Sequence, residues 1–147
     1  MNNDNKLLNP TPSQIKYRNR KWSEALINNE RKARGTMYSH DGGRCCLAVA
    51  QDVAHELGLA DYRGHCESYP HEHISEFFGW QSFDPSLQYK KHNGKIDYAP
   101  ASMLNDGLKN QRRNQKIYNE GIPHKQIAEC VLNTFVHPKK QSFSFLI

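Results

Sequence analysis

The chain has 147 residues, with 20 Lys and Arg against 15 Asp and Glu and a formal net charge of +5. That length suits one domain, able to bury roughly 68–70% of its unfolded surface without help from disulfides or a metal. No apolar run approaches the ~18 residues of a membrane span. The opening Met1-Asn2-Asn3-Asp4-Asn5-Lys6 has no secretory pattern, so the four cysteines are expected as free thiols in a cytoplasmic protein.

Hydrophobic residues make up 37%, and 13 Asn and 8 Gln fill the deficit rather than excess charge. Residues 1–10 read as a polar, mobile arm and residues 11–147 as a single domain. Thr11-Pro12-Ser13-Gln14 carries a helix start, with Thr11 as N-cap, Pro12 in the first turn and Gln14 at the capping-box position. Ile15, Trp22, Ala25 and Leu26 then give an apolar face through about Asn28, with Gly35 as a stop. Asp41-Gly42-Gly43 after a short β-prone run predicts a hairpin or a strand-to-helix turn. The spacing of Cys46, Ala50, Val53, Ala54 and Leu57 predicts a second helix closed by Gly58.

Residues 59–71 read as a loop, followed by a short helix on Ile74, Phe77 and Phe78 that ends at Gly79. Residues 86–99 alternate as a hairpin around Asn93-Gly94, the preferred pair for a type I′ turn. A helical turn at Ser102-Met103-Leu104 leads to Asn105-Asp106-Gly107. Residues 108–119 are helix-capable but poor in apolar anchors, and Gly121-Ile122-Pro123 breaks the chain. A last helix over about 123–135 presents Ile127, Ala128, Val131, Leu132 and Phe135, and the tail alternates weakly like an edge strand. The expected class is α+β, with three main helices packed on short antiparallel β-hairpins.

In order, Trp22-x-x-Ala25-Leu26, Gly35, Cys45-Cys46-Leu47-Ala48-Val49, Phe78-Gly79-Trp80, Leu104-Asn105-Asp106 and Ile127-Ala128 resemble a family of small tailed-phage proteins. That family's signature runs W-x-x-A-L, C-C-L-G-V, L-N-D, I-A, and the resemblance covers about Trp22 to Leu132. Ala48 stands where the signature has Gly, and the stretch between Asp106 and Ile127 is longer and more basic than in the family. The resemblance implies a phage origin and expression in the cytoplasm of an infected bacterial host, but assigns no activity to particular residues. In size, charge and setting the chain is also similar, by class alone, to phage anti-defence sponges that sequester cyclic nucleotide signals.

The positive balance favours anionic partners. It gathers in Lys16, Arg18, Arg20 and Lys21, in Arg31, Lys32 and Arg34, and in Lys109, Arg112, Arg113 and Lys116. Spacing reads equally as solvated helix faces or as an anion-binding surface. Arg44, between a Gly-Gly turn and a helix start, could join backbone N–H groups and the helix dipole in holding phosphate. Tyr38, Trp80, Tyr89 and Tyr98 are candidates for stacking on a base, although each equally suits core or sheet packing. Asn105 and Asp106 read as a helix-end cap, or as a polar hook for a base edge or an arginine.

Cys45 and Cys46 open a helix near His40, so a Cys–His nucleophile competes with plain core packing. Zinc is disfavoured: adjacent Cys45-Cys46, adjacent His65-Cys66 and His71-x-His73 lack the spacings that close a tetrahedron. No phosphate loop, Ser-His-Asp order, zinc-protease motif or carboxylate pair is evident.

The leading expectation is therefore a non-catalytic binder of a cyclic di- or oligonucleotide, without cofactor. Arg44, Arg34, Tyr38, Trp80, Tyr89, Tyr98, Asn105 and Asp106 would contact the ligand, with a homo-oligomer suited to two-fold ligands. The alternatives are a basic nucleic-acid-binding accessory protein and a protein-binding inhibitor of a host enzyme. A Cys-dependent hydrolase stays open behind them.

Overall fold

The computed structural model describes residues 7–29, 32–64, 68–107 and 120–147. The first helix, α1, runs Pro12–Ile27 and opens with the capping box read from sequence: Thr11 Oγ1 accepts from Gln14 N at 3.2 Å while Gln14 Oε1 accepts from Thr11 N at 2.8 Å. It ends on Asn28, well before Gly35, which lies in the following loop at a φ of 71°. The arm expected over residues 1–10 is described only from Leu7. There Leu7 and Leu8 pack partly buried against the core, and the Leu7 carbonyl accepts from the Arg18 guanidinium at 2.6 Å.

Gly42 N donates to Ser39 O and Ser39 N to Gly43 O, so Asp41-Gly42-Gly43 makes a tight turn. It delivers the chain through an antiparallel bridge between Tyr38 and Arg44 into α2, Cys46–Glu56. Helix α3, Glu72–Phe78, stops on Gly79 in the left-handed region. Strands β1, Ser86–Lys90, and β2, Ile96–Pro100, pair antiparallel with Gln88 opposite Tyr98. Among the described residues this is the one sheet.

The register puts Leu87, Tyr89 and Ala99 inward and leaves Ile96 and Tyr98 outside. The turn is not type I′. No described non-glycine residue has a positive φ, so Asn93 stays right-handed and Gly94 alone turns over at 82°. Lys91 N donates to Lys95 O across a five-residue loop, the longer connection that a type I turn plus left-handed glycine provides.

Helix α4, Ala101–Asp106, follows β2 directly, and α5, His124–Val131, runs on into a π-helical turn, Leu132–Val136. In that turn Thr134 Oγ1 donates back to Cys130 O and accepts the Gln88 N–H at 2.8 Å, covering a donor of β1 that faces away from β2. The tail lies along the same strand, where Ile147 exchanges backbone bonds with Lys90 and His92.

Among the described residues the chain is thus a small mixed domain of five α-helices and a two-stranded antiparallel sheet. Its core joins Trp22 and Leu26 of α1, most of α2, Phe77, Phe78, Leu87, Leu104, Ile127 and Val131. No described helix is long and apolar enough to cross a membrane.

Candidate functional site

The start of α2 is held from three directions. Trp22 Nε1 donates to Cys46 O at 2.9 Å, Asn105 Oδ1 accepts from Cys46 N at 3.0 Å, and Asn105 Nδ2 donates to Ala33 O at 2.8 Å. Ser23 Oγ reaches Ala128 O at 3.0 Å, tying α1 to α5. Lys32 Nζ donates to the carbonyls of Asn105, Glu120 and Ile122, which satisfies all three ammonium protons. Backbone passes so close here that a Cβ on Gly121 would stand 2.3 Å from Asn105 O. Trp22, Cys46, Asn105 and Ala128, remote in sequence, thereby belong to one buried junction.

Beside this junction opens a cleft of about 280 Å³, lined among others by Gly35, Cys45, Tyr69, Ser102, Asn105 and Asp106. Asp106 Oδ1 accepts from Gly35 N at 3.1 Å and from Asn105 Nδ2 at 2.8 Å, while Oδ2 makes no hydrogen bond among the described residues. Arg34, exposed and next in sequence to Gly35, donates to the Asp106 carbonyl at 3.0 Å. Ser102 is held by Asp84, which accepts both its N–H and its hydroxyl. Tyr69 is 51% exposed and meets Phe83 edge to face with centroids 5.0 Å apart, so one aromatic props another at the mouth.

Cys45 reaches this cleft as the N-cap of α2, its sulfur accepting from Ala48 N at 3.4 Å. Burial pushes its thiol up to about 11, outweighing the N–H groups of Ala48 and Leu47; Asp106 and Asp84 push the same way. Cys46 is fully buried, and burial raises its thiol well above the ordinary range. The helix start that would activate a thiol is overridden by desolvation, and His40 stands exposed on the turn.

Arg44 is committed elsewhere. Its Nε lies 2.6 Å from Asp52 Oδ2, and its guanidinium is 5.5 Å from the Tyr38 ring centre. Tyr38 OH donates to Asp52 Oδ1 at 3.2 Å, and burial first, then the Asp52 charge, push the phenol above its usual range. The donors expected to cradle phosphate beside Arg44 are used internally, Cys46 N by Asn105 and Ala48 N by Cys45.

Trp80 and Tyr89 lie inside the core. Trp80 donates to Asn19 Oδ1 at 3.0 Å and packs between Trp22 and Phe78, while Tyr89 faces inward beside Asp97. A base reaches neither without opening the core. Tyr98 is 60% exposed, on the outer face of the hairpin and not among the cleft residues. The structure therefore brings together Arg34, Asn105 and Asp106, and separates them from Arg44 with Tyr38, from Trp80, from Tyr89 and from Tyr98.

The basic groups divide as well. Arg18 turns inward, donating to Leu7 O and Phe77 O, whereas Lys16 and Arg20 stay exposed. Arg31 and the Lys109–Lys116 group lie outside the described residues, as do His65 and Cys66. Among the described residues no cluster of three or more His, Cys, Asp or Glu could hold a metal ion.

Tyr69 is the cleft residue that pattern reading passed over. Its one signal is an aromatic between Ser68 and Pro70 that neither helical nor alternating spacing claims. No family profile matches the chain, and no curated protein or solved structure matches it either.

Proposed function

We propose that the chain is a non-catalytic nucleotide binder, and that its receptor is the cleft bounded by Gly35, Tyr69 and Asp106. In the setting that the phage resemblance implies, it would sequester a cyclic nucleotide signal of bacterial defence in the host cytoplasm without cleaving it. The observation that carries this reading is the meeting, in one cleft, of an exposed aromatic face and a carboxylate with an oxygen unused among the described residues, with the exposed Arg34 bonded to the Asp106 carbonyl beside it. A base would stack on Tyr69, where such contacts are worth ~1–3 kcal/mol. Its polar edge would turn to Asp106, and its phosphate would lie toward Arg34.

A volume of about 280 Å³ takes one base rather than a whole cyclic dinucleotide. A two-fold ligand would therefore engage two copies of the chain, which supports a homo-oligomer formed on binding. The buried, high-pKa thiols support capture over thiol chemistry.

A capture-and-release assay tests the reading. The protein is incubated with cyclic and linear nucleotides, removed by filtration and denatured. A nucleotide that is depleted and returns intact is the expected result. One that returns cleaved makes the protein an enzyme, and an undepleted panel removes the nucleotide reading.

One observation favours a second reading. Tyr17 is 50% exposed on α1, with Lys21 5.5 Å from its ring centre and Lys16 and Arg20 exposed nearby. This basic, aromatic face suits a nucleic-acid backbone, and binding there would weaken steeply with salt as counterions are released.

A further inference from the structure

We infer that the cleft selects guanine over the other bases, an assignment that rests on the nucleotide reading above. The polar groups at its floor set the preference. Asp106 Oδ1 is saturated by the Gly35 and Asn105 N–H groups, while Oδ2 is unused among the described residues. Asp84, the other nearby carboxylate, is occupied by Ser102. Asn105 is 1% exposed, and its amide is spent on Cys46, Ala33 and Asp106. Among the carboxylates and amides at the cleft, the unspent capacity is therefore the Asp106 Oδ2 oxygen, and an ionised carboxylate only accepts.

Bases answer such a group differently. The pairing edge of guanine presents two adjacent donors, N1–H and the N2 amine, and Oδ2 would accept both on its own two lone pairs in charge-assisted bonds. Adenine and cytosine each set a bare ring nitrogen beside their amine, and that lone pair would face the carboxylate. Hypoxanthine keeps N1–H but lacks the amine. Donor-poor edges are rejected because the buried or half-buried oxygen loses water and gains nothing. The geometry puts these choices at Asp106, with Tyr69 gripping any base through its π-face. Affinity and selectivity are thus assigned to different residues.

The test uses the full chain in equilibrium dialysis against GMP, IMP and AMP, and against cyclic di-GMP, cyclic di-AMP and the mixed cyclic GMP–AMP. The guanine ligands are expected to bind at least about thirtyfold tighter than the adenine ones, with IMP between GMP and AMP; each hydrogen bond to a charged group supports about a tenfold step or more. Asp106→Asn keeps an amide oxygen for the Gly35 N–H but places a donor where Oδ2 was. It is expected to cost guanine tenfold or more and to move the preference toward adenine, a reversal that loss of fold would not produce. Tyr69→Ala is expected to weaken all the nucleotides together and leave their ratios unchanged.

Equal affinity for GMP and AMP, or an Asp106→Asn protein with unchanged ratios, overturns guanine selection and leaves the nucleotide reading standing. Retention of no nucleotide overturns both. Should Asp106→Asn fail to fold, the GMP, IMP and AMP order of the unmodified chain decides alone.

Discussion

Asn105 and Asp106 are neighbours at the end of α4 and meet opposite fates. Asn105 is 1% exposed, and its side chain is spent on Cys46, Ala33 and Asp106. Asp106 is half-buried on a cleft and keeps one carboxylate oxygen unused among the described residues. The same contrast separates Trp80, covered by Trp22 and Phe78, from Tyr69, propped at the surface by Phe83. A polar or aromatic residue whose capacity is exhausted inside holds the fold, and one with capacity left over is available to a ligand. Residue type separates neither pair; the accounting of partners does.

The largest expected effect tests the exhausted side of the comparison. Asn105→Ala orphans the Cys46 N–H and the Ala33 carbonyl in the interior, at ~1–3 kcal/mol for each group. Urea unfolding should show a loss of about 3 kcal/mol or more. A loss below about 1 kcal/mol would mean water replaces the amide, so that the junction is not closed. Trp22→Phe comes next, at about 2 kcal/mol, because it removes the Nε1–H that Cys46 O accepts while keeping most of the ring. A loss below about 1 kcal/mol would mean that the Nε1–H bond to Cys46 O contributes little.

How much of this was legible follows from the distance over which each signal acts. The capping box at Thr11 and the stop at Gly79 are local and stand where the pattern puts them. The Asn93-Gly94 pair located the hairpin, but the turn type depended on loop length, and five residues replaced two. The bond from Cys46 to Asn105 spans 59 positions, so no window of sequence contains it. Trp80 and Tyr89 are legible as aromatics, yet which ring is covered is decided by α1 and α3 packing together or by strand register. Arg44 drew attention through its place before a helix, and Asp52, one helical face away, neutralises it.

His124 sharpens the comparison, because it is buried and yet unexhausted. It is 3% exposed, its Nδ1 lies 2.6 Å from Asn29 O, and its Nε2 has no partner among the described residues. Burial, its largest influence, holds its pKa below 6.5 against the raising effect of the Asn29 carbonyl, with Lys32 acting the same way as burial. Below pH 6.5 the unfolded chain therefore binds more protons than the folded one at this site. Its contribution to stability is full above 6.5 and is lost as pH falls toward the folded value. The melting temperature is expected to hold from pH 8 to 7 and to drop on acidification, with a shallower drop in His124→Gln. Parallel curves for the two proteins would show that His124 does not bind its proton differently on folding.

The smallest effect on stability is expected at Tyr69, and its smallness carries the argument. Tyr69→Ala removes a ring that is 51% exposed and touches a Phe83 ring that is itself 49% exposed. Little area leaves the core, so urea unfolding should shift by no more than about 0.5 kcal/mol with an unchanged slope. A shift beyond about 1.5 kcal/mol would make Tyr69 a structural ring like Trp80, its face spent on the fold. The cleft would then have an acceptor at its floor but no platform at its mouth. A neutral substitution leaves a large, rigid, half-bare aromatic that the fold does not need, beside a carboxylate oxygen that the fold does not use. These are the two groups that the proposed nucleotide would engage together.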